Sequence, residues 1–177
     1  SPYSATKAAA DHLTLAYHVT HGLDVVVTRS SNNYGPNQHP EKLIPLMITR
    51  AFQGQSLPVY GDGLHVRDWI YVTDHCRGLL AAIEEGASGM VYNFGGDTEL
   101  TNLRVVKEIL EILDCRQDLI KHVGDRPGHD RRYGIDSSRA QSELSWEPSV
   151  AFSDGLRDTV KWYVANQEWW GCQNPGD

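Results

Sequence analysis

Residues 3–29 constrain the fold more than any other stretch of the chain. From Tyr3 to His21, the residues Ala5, Ala8, Ala9, Leu13, Ala16 and Tyr17 recur at helical spacing behind Pro2. Gly22 stands where such a helix stops. Asp24-Val25-Val26-Val27-Thr28-Arg29 follows, a β-branched run with charged ends. A continuous apolar run of this kind suits a strand buried on both faces of a parallel sheet. Helix, glycine and buried strand make half of a βαβ unit. The expected fold class is therefore α/β: the end of a doubly wound parallel sheet joined to a smaller α/β lobe.

The remaining pattern alternates short strands with helices. Residues 31–41, rich in Asn, Gly and Pro, read as a loop, and a helix is expected over Ile44–Phe52. Pro58-Val59-Tyr60 reads as extended and Gly61-Asp62-Gly63 as a turn. A strand is expected over Val66–Val72. Thr73 then caps a helix to Glu85 with Leu79, Leu80 and Ile83 on its buried side. Further strands are expected over Met90–Phe94 and Ile120–Val123. Thr101 caps a helix through Leu113, Ser138 starts one ending near Leu144, and Ser153 caps the last. Residues 124–136 read as a polar loop. Trp69 and Trp162 fall at core positions, while Trp169-Trp170 either cover a neighbouring surface or pack back on the last helix. The tail from Gly171 is expected to fray.

Composition excludes several classes. The 177 residues carry 16 Lys plus Arg against 23 Asp plus Glu, a net charge of −7. Such a balance argues against a general nucleic-acid binder, which draws affinity from clustered Lys and Arg. No apolar run approaches the ~20 residues that span a bilayer. No secretory leader pattern is visible. The three cysteines, Cys76, Cys115 and Cys172, form no CxxC, so neither a disulfide framework nor a zinc site is expected. No metal is expected at the scattered histidines either. A reducing, cytoplasmic setting fits best. Length allows one domain or part of one. A chain that opens on Ser1, directly before a chemical motif, reads as a piece of a longer protein.

Tyr3-Ser4-Ala5-Thr6-Lys7 places a phenol and an ammonium at i and i+4, on one face of a helix. A free tyrosine titrates near ~10, and a neighbouring cation favours its phenolate. A tyrosine so placed can take the proton of a sugar hydroxyl as hydride leaves the same carbon. Ser30-Ser31-Asn32-Asn33-Tyr34-Gly35-Pro36 leaves the carboxyl end of the expected strand, where open α/β sheets place ligands. Lys42, at a helix start, suits a phosphate, and Arg67 can fork onto a diphosphate. The segment Asp125-Arg126-Pro127-Gly128-His129-Asp130-Arg131-Arg132-Tyr133 adds basic groups in a Gly- and Pro-shaped loop. Asp68, Asp130 and Asp136 are alternative partners for some of these arginines.

These motifs resemble the carboxy-terminal half of the dTDP-glucose 4,6-dehydratase family, within the extended short-chain dehydrogenases/reductases. The resemblance covers Ser1 to Trp162. YxxxK is common to that superfamily, whereas SNNYGP, PEKLIP, VRDWIYVTDH and DRPGHDRRY are more specific. The resemblance implies that Tyr3 is the active-site base, that Lys7 is its partner and holds the nicotinamide ribose, and that Asn33 lies against NAD. It implies that Asn32, Lys42, Leu43, Pro58, Tyr60, Arg67, Asn102, Arg126 and His129 bind the nucleotide sugar, with Arg67 and Arg126 facing the diphosphate. Residues 1–35 would close an NAD-binding Rossmann domain. Residues 36–177 would be mostly nucleotide-sugar-binding lobe, with some elements, about 66–95, returning to the Rossmann sheet.

The implied reaction oxidises C4 of dTDP-glucose, eliminates water across C5 and C6, and returns hydride to C6. Its product, dTDP-4-keto-6-deoxyglucose, is a rhamnose and deoxysugar precursor. In that family the glycine-rich NAD loop and the Asp–Glu pair acting at C5 and C6 precede YxxxK. The chain alone is therefore expected to be inactive, and the first helix is expected to pair with its copy in a homodimer. Two other readings remain open: an NAD-dependent epimerase, decarboxylase or dehydratase acting on a UDP or GDP sugar, and a non-catalytic dinucleotide-binding sensor.

Overall fold

The computed structural model describes residues 1–171. It opens with helix α1, Pro2–His21. The Ser1 hydroxyl accepts the Ser4 N–H at 3.2 Å, and Pro2 needs no partner in the first turn. At the other end Gly22 adopts φ 66°, a left-handed turn that a β-carbon would strain, and its N–H bonds His18 O at 2.8 Å.

Strand β1 (Val27–Ser30) pairs in parallel with β5 (Val91–Phe94), with Val27 opposite Val91. The segment read as a loop instead carries strand β2 (Asn32–Tyr34), one residue beyond β1. β2 pairs in parallel with the end of β4 (Val66–Tyr71), Asn32 facing Trp69. The start of β4 lies between β6 (Glu99–Thr101), antiparallel, and β8 (Arg132–Tyr133), parallel. Neither β6 nor β8 was expected; both owe their extended form to β4, because pairs so short have little intrinsic preference. Strands β3 (Leu57–Tyr60) and β7 (Ile120–Val123) pair in parallel to one side. The fold is thus mixed α/β with parallel pairing dominant.

Helices α2 (Leu43–Phe52), α4 (Asn102–Ile112) and α6 (Phe152–Ala165) enclose one apolar core. Ile44, Met47, Val106, Ile109, Leu156 and Tyr163 meet there. A second core joins Tyr92 and Phe94 of β5 to Ala140, Leu144 and Trp146, on and after α5 (Ser138–Leu144). Thr101 caps α4 as expected, accepting the Arg104 N–H at 3.2 Å. Thr73 and Ser153 do not cap their helices: the N-cap positions are Tyr71 and Ala151. A short α7 (Gln167–Gly171) turns Trp170 back, so that its Nε1–H donates to Tyr163 O at 2.9 Å. Trp169 packs edge-on against Trp162, which is only half-buried, whereas Trp69 is buried. The expected fraying of the tail concerns positions beyond Gly171, outside the described residues.

The buried face of α3 (Val72–Glu85) differs most from expectation. It is Asp74, Gly78 and Ala82 that face inward, while Leu80 and Ile83 are exposed, Ile83 at 81%. Close approach decides this: a β-carbon on Gly78 would sit 2.6 Å from the Phe94 ring, so only glycine lets the helix reach β5. Asp74 is buried because both of its oxygens are filled. They accept hydrogens from Arg77 and Ser149 Oγ, and from the N–H groups of Ser149 and Val150. No described helix is long and apolar enough to cross a membrane.

Candidate active site

A cleft of about 640 Å³ opens between the first turn of α1, the β1–β2 junction, Arg67 on β4 and the loop before β8. That volume lies within the ordinary range for small-molecule sites. Three groups line it: Tyr3 and Ser4 on α1, Ser30, Ser31 and Asn32 at the β1–β2 junction, which we call the floor, and Arg67, Arg126 and His129, which we call the arginine wall. Tyr133 closes the near end, its hydroxyl donating to Ser30 O at 3.1 Å. The Tyr3 side chain is 73% exposed.

The floor follows from the sheet. β1 and β2 are separated by Ser31 alone, so the chain changes sheet partner there, from β5 to β4. A change of partner at the carboxyl ends of parallel strands is where α/β folds leave a crevice. Ser31 Oγ is buried without a hydrogen-bond partner. The Asn33 side chain is committed: Nδ2 donates to Ser30 Oγ and Ser31 O, and Oδ1 lies 2.8 Å from His75 Nδ1. Burial pushes the His75 pKa down, so its neutral ring donates to Asn33. Asn33 therefore pins the floor rather than lining the cleft.

Of the loop arginines, Arg131 forks onto Asp62 at 2.8 and 2.9 Å and Arg132 onto Glu99. These bonds hold the Asp62 carboxyl well below its usual range. Arg67 and Arg126 have no carboxylate partner among the described residues. Arg67 donates to Val66 O at 2.7 Å and Asp130 O at 2.8 Å. The guanidinium of Arg126 lies over the Tyr60 ring, 5.4 Å from its centroid. Burial lowers the Arg67 pKa, Asp130 opposes the shift, and Arg126 adds to it. Two adjacent cations, one partly desolvated, make this wall a receptor for an anion. Of the aspartates suggested as alternative arginine partners, Asp130 alone meets one among the described residues. The Asp68 carboxylate accepts the N–H groups of Gly96 and Thr98, Asp130 offers Arg67 its backbone carbonyl, and Asp136 accepts the Ser138 N–H.

The structure thus gathers Tyr3, Asn32, Arg67, Arg126 and His129 on one cleft. Lys7 lies one turn further along α1 and does not line it. Lys42 sits at the N-cap of α2, exposed and paired with Glu41 at 2.7 Å. Leu43 and Pro58 are half-buried on α2 and β3, and Tyr60 meets the cleft lining through Arg126, whose guanidinium lies over its ring, and through the edge of the His129 ring at 6.3 Å. The backbone N–H of Asn102 bonds His65 O at 2.9 Å, and its Oδ1 is buried without a partner.

Sequence reasoning assigned no role to Ser31, His65, Asp125 or Tyr133. The rings of His65 and His129 stack at 3.9 Å with planes 18° apart, and both contact the Asp125 carboxylate. Two histidines and an aspartate form a metal-type donor set. Their ring planes, however, are nearly parallel. In-plane lone pairs on stacked rings cannot converge on one ion at bonding distance, so the trio is a hydrogen-bonded group rather than a ligand set. Only the DRPGH spacing, which puts Asp125 four residues before His129, hinted at it.

The family described as GDP-mannose 4,6 dehydratase matches residues 1–159. A dTDP-glucose 4,6-dehydratase of Actinoplanes sp. is 55% identical over 170 residues, covering 96% of this chain and 53% of that protein. The crystal structure of dTDP-glucose 4,6-dehydratase from Bacillus anthracis in complex with NAD superposes with a TM-score of 0.95 at 52% identity. That match covers 98% of this chain and 55% of the other. The Streptomyces venezuelae dTDP-glucose 4,6-dehydratase, also solved with NAD, gives a TM-score of 0.96 at 47% identity, covering 98% and 54% of the two chains. The chain spans about half the length of the relatives it matches.

Proposed function

Given that this chain belongs to the GDP-mannose 4,6 dehydratase family, we propose that the whole protein removes water from dTDP-glucose to give dTDP-4-keto-6-deoxyglucose. The observation that carries this reading is the cleft itself, which brings the first turn of the YxxxK helix onto one space with two arginines that have no carboxylate partner among the described residues. A diphosphate on Arg67 and Arg126 leaves the attached sugar spanning toward Tyr3.

NAD fits the other wall. Ser31 Oγ is a buried polar atom lacking a partner at the floor, and Tyr3 and Ser4 stand exposed beside it. Tyr3 and Lys7 would hold the nicotinamide end, against a floor that Asn33 keeps in shape. When bound, NAD supplies a hydride acceptor for sugar C4 and a hydride donor for C6. Tyr3, acting as the phenolate, takes the proton of the C4 hydroxyl and becomes the phenol. Asn32 offers its amide to a sugar hydroxyl. Lys42, Leu43, Pro58, Tyr60, Asn102 and His129 enclose the nucleotide. The Asp–Glu pair required at C5 and C6 is expected N-terminal to YxxxK. In this reading residues 1–35 close the NAD domain, and 36–177 form mostly the nucleotide-sugar lobe, with about 66–95 returning to the sheet.

The protein is proposed to work as a homodimer in the cytoplasm. α1 buries no residue, and Leu13, Tyr17 and Val19 on it, with Leu80 and Ile83 on α3, are exposed. Both helices pack against β1, so their outer sides suit a second copy.

Incubating the whole protein with NAD and dTDP-glucose tests the activity. Formation of a 4-keto product with loss of water supports it. Inversion at C4 makes the protein an epimerase instead, and binding without turnover leaves it a sensor.

A further inference from the structure

The loop that carries Arg126 and His129 is anchored by a histidine just before β4. His65 is 3% exposed, and its ring lies flat beneath that of His129. Its Nε2 lies 3.1 Å from Asp125 Oδ2, while His129 Nδ1 lies 2.7 Å from Asp125 Oδ1. An ionised carboxylate only accepts, so both nitrogens carry hydrogens. The same Oδ1 accepts the Arg126 N–H at 2.8 Å. One carboxylate thus fixes the backbone at 126 and the ring at 129, and His65 fixes the carboxylate. His65 O also accepts the Asn102 N–H at 2.9 Å. Two residues of the nucleotide wall, Arg126 and His129, therefore depend through Asp125 on a side chain that does not line the cleft, and a third, Asn102, is held by that residue's backbone carbonyl.

His65 keeps this place at a cost. Its Nδ1 is buried without a partner, an arrangement a purely structural site would avoid. Asp125 is partly exposed and, without His65, is free to turn toward water. With Nδ1–H of His129 committed to Asp125, Nε2 is left as the His129 atom for ligand.

We propose that His65 is a positioning residue which, through Asp125, orients His129 and Arg126 for the nucleotide diphosphate. The proposal rests on the nucleotide-sugar reading above. The test uses the whole protein, with dTDP binding followed by calorimetry, dTDP-glucose turnover, and melting temperature. His65→Phe keeps a ring to stack but loses the donor. It should bind dTDP roughly tenfold more weakly and raise KM by a similar factor, with kcat within about twofold. His65→Gln, which loses the ring but keeps an N–H donor, should restore most of the affinity whatever its melting temperature. A merely structural role predicts the reverse order. Asp125→Ala removes the carboxylate itself at an exposed position and should match His65→Phe even if that variant fails to fold. Unchanged dTDP affinity in His65→Phe or Asp125→Ala overturns the proposal alone. Absence of dTDP binding by the unsubstituted protein removes the nucleotide reading and this one with it.

Discussion

Arg67 and Asp130 are joined across 63 positions, with Arg67 Nη2 donating to the Asp130 carbonyl oxygen at 2.8 Å. Because its hydrogen-bond partners here and at Val66 are neutral carbonyls, the guanidinium is held in place without being spent on a carboxylate hydrogen bond. Arg67→Ala should raise KM for dTDP-glucose by about 10–100-fold with a much smaller effect on kcat. Arg67→Lys should recover only part, since an ammonium cannot hold the loop and fork onto a diphosphate together. Steady-state kinetics checks this, and an unchanged KM in Arg67→Ala would make the residue purely structural.

Tyr3→Phe removes the hydroxyl without disturbing the core, because the side chain is exposed on α1. Turnover should fall by about 10²–10⁴-fold while dTDP affinity stays unaltered. Full activity in this variant would take Tyr3 out of the chemistry.

Gly78→Ala tests the contact between α3 and β5. The added carbon would meet a Phe94 ring that is fully buried and set edge-on against Trp146 at 4.8 Å, so the ring has little room to yield. The variant should lose about 1–3 kcal/mol, read as a lower melting temperature. Leu80→Ala on the exposed side of the same helix should change the stability of the fold by no more than about 0.5 kcal/mol.

Asp74 predicts an acid sensitivity. Burial raises its pKa, but the hydrogen bonds from Arg77, Val150 and Ser149 outweigh burial and leave it below the ordinary 3.8. Below that value the unfolded chain binds more protons than the folded one, so stability falls with pH. The Asp74 contribution is complete above 3.8 and is lost as pH drops through the folded pKa. In Asp74→Asn the dependence of melting temperature on pH should be shallower below 3.8 than in the unsubstituted protein. Equal slopes would mean that other carboxylates carry the effect.

The dimer proposal has its own variant. Ile83→Glu changes an exposed side chain, so the fold should persist while sedimentation shows a shift toward monomer. A dimer of unaltered strength would place the contact elsewhere.

Much of this architecture is local in origin and therefore legible. The α1 helix, its Gly22 stop, the β1 run and the Thr101 cap each follow from neighbours within a few residues. The motif residues Tyr3, Asn32, Arg67, Arg126 and His129 were also readable, as side-chain chemistry in loop and helix contexts. What escaped was pairing over distance. β2, β6 and β8 are extended because β4 accepts them, and the inward face of α3 was set by the Phe94 ring rather than by its own leucines.

By itself the chain's order of residues determined the helices and the longer strands, the α/β class and which groups are able to bind an anion or move a proton. Those properties depend on short-range sterics and on side-chain chemistry. The tertiary structure alone decided which arginines keep their charge for a ligand and which are spent on Asp62 and Glu99, and that His65 supports the loop from beneath. Partners 33 to 69 positions apart meet only after the strands pair, and no local pattern encodes which carboxylate reaches which guanidinium first.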